Sequence, residues 1–185
     1  MASTQDFRNG FTFHQDGAIY IIIEFQHVKP GKGGAFVRTR LKNVETGAVQ
    51  ERTFKSGDRV EAVRVERRDM QYLYTDGPHY VFMDTGTYDQ IHLEHAKVED
   101  ADLMKENEIV TVLFGDNVPL LVELPNHVDL TVVQTDPGVK GDTATGGTKP
   151  AQVESGASIQ VPLFIQIGQK IRVDTRTREY LSRVN

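Results

Sequence analysis

Turn signals follow one another at short intervals through the first third of this chain. Asp16-Gly17, Glu45-Thr46-Gly47 and Lys55-Ser56-Gly57 leave short runs between them, and those runs read as strands: Phe11–His14, Ala18–Phe25, Ala35–Asn43, Ala48–Phe54 and Val60–Val65. Asp58 to Val63 could begin a short helix, but Val60, Val63 and Val65 favour a strand. Five short strands in about 64 residues imply a small barrel of SH3-like type, because closure hides sheet edges.

One connection in this barrel stands apart. Ala18 to Phe25 is apolar, β-branched and aromatic, the composition of a buried strand. Ala35 to Lys42 alternates, with Ala35, Val37, Thr39 and Leu41 on one face and Phe36, Arg38, Arg40 and Lys42 on the other. Between them lie Lys29, Pro30, Gly31, Lys32, Gly33 and Gly34, a composition suited to a hairpin tip. Glycines flank Lys32, so its ammonium is expected to stand out at the apex. No acid falls between positions 28 and 42, and Lys29, Lys32, Arg38, Arg40 and Lys42 form a basic set of the kind that binds phosphate backbones. A plain solvated strand face with a loop lysine fits the same composition.

The rest of the chain reads as two further units. From Glu66, the hairpin Met70–Thr75, Asp76-Gly77 and Tyr80–Asp84 leads through Asp84–Gln90 into a segment of helical composition at Ala101–Asn107. Strands at Ile109–Phe114 and Leu120–Leu124 follow, a pattern that fits a five-stranded OB barrel. After Pro125-Asn126, strands are expected at Val128–Gln134, Ser158–Ile165 and Lys170–Asp174, with an exposed loop at Asp136–Thr148. Pro162 implies an edge or bulge position. The fold class is therefore all-β, with domains at 1–64, 65–126 and 127–185 and a second OB-like barrel at the end.

Charge divides along the same lines. Residues 1–64 hold 10 Lys+Arg against 7 Asp+Glu, residues 65–126 hold 4 against 13, and residues 127–185 hold 7 against 6. A basic first third invites an anionic partner that the total of −5 conceals. Without cysteine there is no disulfide framework and no thiolate site. The start lacks the basic and apolar regions of a signal peptide and no run approaches a membrane span, so a cytoplasmic protein without membrane contact is expected.

Catalytic motifs fail one by one. A P-loop needs glycine five residues before Gly31-Lys32 and Ser or Thr after it, where Gln26 and Gly33 stand. His92-Leu93-Glu94-His95 lacks the i, i+4 spacing of a zinc hydrolase, and His79 and His127 supply no evident third ligand. No GxSxG nucleophile elbow occurs. No catalytic residue and no metal site is expected, and the chain is not read as an enzyme.

The segment Val28-Lys-Pro-Gly-Lys-Gly-Gly-Ala-Phe36 closely resembles the tip of the bacterial elongation factor P family. Lys149 to Gly168 resembles that family's C-terminal signature, and Tyr72–Gly77, Phe82–Asp84, Gly141–Thr143 and Arg176–Arg183 are also similar, in order along the whole chain. The resemblance implies a KOW/SH3-like domain and two OB-fold domains in an L shape like that of tRNA. It implies a monomeric factor that binds the 70S ribosome beside peptidyl-tRNA and relieves stalls at consecutive prolines, with prolyl-tRNA as the relevant peptidyl-tRNA. Lys32 matches a position that a modifying enzyme extends covalently in many members; no other cofactor is implied. Gly141, Asp142 and Thr143 match a loop that approaches messenger RNA in the exit site, and Tyr180 and Arg183 match positions of ribosome or tRNA contact. Two rivals are a plain RNA-binding or RNP-scaffold protein of small barrels and the family's paralogue, which has a different tip.

Overall fold

The computed structural model of the chain describes residues 1–138 and 147–185. Among these residues the fold is all-β, in three antiparallel sheets. The first holds β1 (Ala2–Ser3), β2 (Thr12–Gln15), β3 (Ala18–Val28), β4 (Phe36–Asn43), β5 (Val49–Lys55) and β6 (Arg59–Ala62), in the order β1-β6-β2-β3-β4-β5. The second holds β7 (Val65–Asp76), β8 (His79–Asp84), β9 (Gln90–Glu94), β10 (Ile109–Gly115) and β11 (Val118–Glu123), in the order β11-β10-β7-β8-β9. The third holds β12 (His127–Thr135), β13 (Thr148–Val153), β14 (Ser158–Pro162), β15 (Lys170–Asp174) and β16 (Tyr180–Val184), in the order β14-β13-β12-β15-β16. By its contacts the chain forms two compact units, residues 1–68 with 112–122 and residues 69–111 with 123–185.

The first unit's core is aromatic. Phe7 and Phe13 stack at 5.8 Å, and Phe54 stands edge-on to both at 5.2 and 6.0 Å. Ile22, Val37, Leu41 and Val60 close around them. β4 follows its period-two pattern: Val37, Thr39 and Leu41 are buried while Arg38 and Arg40 are exposed. Thr39 is a buried polar residue satisfied by donating to the Arg52 carbonyl at 2.8 Å. The segment after Asp58 is a strand. β3 departs from the expected buried strand. It is eleven residues long, only Ile21 and Ile22 are buried, and its second half is exposed. Gly115 of β10 is demanded by packing, since a Cβ there would lie 2.7 Å from Val63 and 2.8 Å from Leu120.

The second unit has an apolar core of Val128, Leu130, Val132, Ala151, Val153, Ile159, Val161, Ile165, Ile171 and Val173, with Leu103 fully buried among them. The helix expected at Ala101–Asn107 is one 3-10 turn, Ala101–Leu103. It starts from Asp100 in the left-handed region at φ 52° and sets Leu103 into the core. Lys105 then donates to the Asp129 carbonyl at 2.6 Å, tying the segment down. β13 was not expected from the sequence, and Thr148, assigned to the loop, opens it. Its Pro150 carbonyl accepts from Thr135 Oγ1 at 2.9 Å, while Ala151 and Val153 face the core. Pro162 ends β14 at the sheet edge, where its missing N–H costs no ladder bond.

One six-residue turn occurs three times among the described residues. It spans Asn43–Ala48 after β4, Asp84–Asp89 after β8 and Asp174–Glu179 after β15. In each, the first residue's N–H donates to the sixth carbonyl, at 2.9, 2.8 and 2.9 Å, and the fifth N–H returns to the first carbonyl. The first residue's Oδ1 accepts from the third and fourth N–H groups: 2.9 and 3.0 Å at Asn43, 2.8 and 3.0 Å at Asp84, 2.8 and 3.2 Å at Asp174. The fifth residue is left-handed: Gly47 at φ 72°, Tyr88 at φ 66° and Arg178 at φ 61°. For a residue with a Cβ this conformation costs roughly 1–2 kcal/mol.

Candidate nucleic-acid interface

The site is built by the β3–β4 hairpin of the first unit. Its strands stay paired up to Val28 opposite Phe36, and β5 runs along β4 to the same level with Lys55 opposite Phe36, so residues 29–35 close the end of a three-stranded arm. Lys29 to Gly34 are all exposed. Gly33 has φ 114°, a backbone that side chains with a Cβ rarely adopt, and a Cβ there would lie 3.8 Å from the Pro30 ring. Gly31 and Gly34 have open space where a Cβ would be. Nothing therefore packs over Lys32.

A bulge sets the faces of the arm. The register passes from Ile22–Leu41 to Glu24–Arg40, leaving Ile23 as the extra residue. Without it Glu24 would turn to the core side; with it Glu24 shares the outer face with Arg40 and pairs at 3.1 Å. Glu51 stands opposite Arg40 on β5. Arg38, Arg40 and Lys42 thus share one face as the alternation predicts, but carboxylates from neighbouring strands join them. Arg38 is exposed and makes no hydrogen bond or ion pair with a described residue. Lys42 is half-buried and engaged. The uncompensated cations of the arm are Lys29, Lys32 and Arg38.

The other face of the arm carries a feature that the sequence reading missed. Phe25 lies opposite Thr39 and His27 opposite Val37, on the face that Thr39 and Val37 bury in the core. Here β3 has run past β2, whose pairing ends with Thr12 opposite Ile21, and Phe25 is 37% exposed with the His27 ring edge-on at 5.6 Å. Two apolar-faced rings at alternate strand positions were visible in the sequence, but only the length of β3 shows them to be uncovered.

The remaining expected residues lie elsewhere. Gly141, Asp142 and Thr143 fall outside the described residues. In the second unit, Tyr180 is half-buried against the core and Arg183 is exposed on the edge strand β16. Among the described residues no group of three His, Cys, Asp or Glu is placed to hold a metal. No helix among them is long and apolar enough to cross a membrane. Chemically, the arm presents cations and two rings to a partner.

Residues 3–60 match the family model described as the elongation factor P KOW-like domain, residues 65–122 the elongation factor P OB domain, and residues 128–183 elongation factor P, C-terminal. The chain belongs to the elongation factor P family. It is 59% identical over 185 residues to elongation factor P of Thermoanaerobacter sp. (strain X514), covering the whole of both chains. It is 57% identical over 184 residues to elongation factor P of Moorella thermoacetica, covering 99% of this chain and all of that one. Among solved structures, eukaryotic translation initiation factor 5A from Methanococcus jannaschii is similar in fold. The TM-score is 0.52 at 23% identity, covering 64% of this chain and 88% of that one. As a member of the elongation factor P family the chain is a translation elongation factor and not an enzyme.

Proposed function

We propose that this chain binds the 70S ribosome beside peptidyl-tRNA in the cytoplasm and stimulates peptide-bond formation at consecutive prolines. The observation that carries the reading is Lys32, exposed at the apex of an arm whose strands stay paired to Val28 and Phe36. Proline is a poor substrate because its ring restricts the geometry of the reacting ends. A factor without acid–base groups lowers that barrier by holding peptidyl-tRNA in a reactive arrangement, and positioning alone is a large catalytic effect. The arm suits this role: an exposed tip with a cation at its end, and Lys29 and Arg38 exposed beside it for phosphate. In this reading Lys32 reaches the reaction centre and is the atom-bearing end that a modifying enzyme extends. Arg40 and Lys42 support the backbone contact, Gly141 to Thr143 approach messenger RNA, and Tyr180 and Arg183 meet ribosome or tRNA.

Reconstituted translation of a Pro-Pro-Pro template with and without the protein tests the reading. More full-length product is expected with it, and equal product defeats the proposal. Lys32→Ala separates this reading from a plain RNA-binding protein. Near-wild-type ribosome affinity with poor Pro-Pro synthesis supports the factor; a slight loss of affinity with unchanged synthesis supports the scaffold. Intact-mass measurement of the natively expressed protein, with peptide mapping across Lys29–Arg38, reads the modification, and an unshifted mass removes it.

A further inference from the structure

Tyr88 sits at the left-handed fifth position of the turn Asp84–Asp89, at φ 66°, and is 71% exposed. The same position in the other two copies of the turn supplies a control within the molecule. Gly47 fills it in the first unit without a side chain. Arg178 fills it after β15, and there the side chain has a partner inside the protein. Its guanidinium donates to Asp100 at 2.7 Å and to Asp102 at 3.0 and 2.5 Å. Tyr88 has a bulky side chain in the same backbone state, but that side chain makes no hydrogen bond or ring contact with any described residue. An exposed aromatic residue of this kind is what binding surfaces use as an anchor.

The charge of the segment that carries the ring decides what kind of partner it fits. Asp84 and Asp89 lie in the same turn, and the Asp69 carbonyl accepts from Thr85 Oγ1 at 3.1 Å. Residues 69–111 hold ten acids against two lysines, Lys97 and Lys105, and remain strongly acidic when Asp100 and Asp102 are set against Arg178. Such a field repels phosphate and draws ammonium and guanidinium groups, and the face of a tyrosine ring is itself a receptor for those cations. We infer that Tyr88, flanked by Asp84 and Asp89, is the anchor of a docking surface for a basic protein. The partner presents arginine or lysine to the ring. This partner is distinct from the RNA that the β3–β4 arm suits, so opposite charges in the two units address different classes of macromolecule.

The test uses the full chain and purified 70S ribosomes as the source of basic protein, and in that choice it rests on the proposed function. Tyr88→Gly removes the ring and suits the left-handed backbone, so its thermal midpoint is expected to equal or exceed that of the wild type. Its ribosome dissociation constant is expected to rise about tenfold, while Tyr88→Phe, which keeps the ring face, stays close to wild type. A photo-crosslinking p-benzoylphenylalanine placed at Tyr88 is expected to give an adduct with a basic ribosomal protein that protease removes. An adduct removed by ribonuclease instead, an adduct joining two copies of this chain, or wild-type affinity in Tyr88→Gly overturns the inference. If the wild-type chain itself fails to bind ribosomes, the proposed function falls with it. Equal binding by wild type and Tyr88→Gly defeats the docking surface alone.

Discussion

Arginines behave differently on the arm of the first unit and on β15 and the turn after it in the second. Arg172 donates to Asp129 at 2.7 and 2.9 Å, Arg176 to Asp174 at 3.0 Å, and Arg178 to Asp100 and Asp102. Each guanidinium there is matched by a carboxylate of the same unit. On β4, Arg40 is matched by Glu24 but Arg38 is not matched by any described residue. A guanidinium that already holds a carboxylate bidentately has little left to offer a phosphate, whereas an exposed unpaired one gains most from meeting an anion. Counts of basic residues therefore mislead: the last third of the chain has seven Lys+Arg, yet the arginines of β15 and its turn serve the fold.

If the second unit is the rigid one, the largest effect lies at Leu103. This side chain is fully buried in the core of the third sheet and comes from the 3-10 turn ahead of it. Leu103→Ala is expected to lower unfolding free energy by about 2–5 kcal/mol, measured by denaturant titration of the full chain. A loss below about 1 kcal/mol would mean that the core closes without this residue. The variant keeps every residue of the arm, so binding by its folded fraction should be unchanged.

The two arginines can be set against each other directly. Arg178→Ala leaves Asp100 and Asp102 side by side without their cation, and stability is expected to fall by about 1 kcal/mol, modest because the side chain is 37% exposed. Ribosome affinity should hardly change. Arg38→Ala is expected to alter stability by less than about 0.5 kcal/mol. It should weaken ribosome binding at low salt and reduce the salt slope by about one. The reverse pattern, with Arg38 structural and Arg178 a binding residue, would end the distinction.

Much of the arm was legible because its signals are local. Alternation along Phe36–Lys42 placed Arg38 and Arg40 outside, and the glycines around Lys32 marked an exposed apex. What escaped depends on pairs distant in sequence. The bulge at Ile23 decides whether Glu24 meets Arg40, and no local pattern announces it. Leu103 belongs to a core made of strands that begin 24 residues later, at His127, so composition could assign it only to a nearby helix. β13 was hidden by Pro150, which normally argues against an inner strand. The repeated turn was readable in principle, since Asn43, Asp84 and Asp174 are each followed three residues on by threonine, at Thr46, Thr87 and Thr177. Its unlike fifth residues, Gly47, Tyr88 and Arg178, disguise it.

Acid titration gives the smallest effect and the most direct reading of which arginines hold carboxylates. Arg178 donates to Asp102 and holds its carboxyl below the ordinary value of 3.8, against the opposing effect of burial. The Arg176 side chain and then the Arg176 and Thr177 N–H groups bring Asp174 down to about 2. A carboxyl with a lowered pKa in the folded state contributes stability that is present above its unfolded value and is lost as pH falls through the folded one. Thermal midpoints should therefore decline between about pH 4 and pH 2. Asp174→Asn should remove part of that decline, since the amide keeps an acceptor for the turn but does not titrate. Arg178→Ala should remove the part belonging to Asp102, because the carboxyl then returns toward its ordinary value. Arg38→Ala should leave the slope as in the wild type, having no carboxylate to release. A flattened slope in Arg38→Ala would show that Arg38 holds an acid after all, and the contrast between it and the arginines of β15 and its turn would fail at that point.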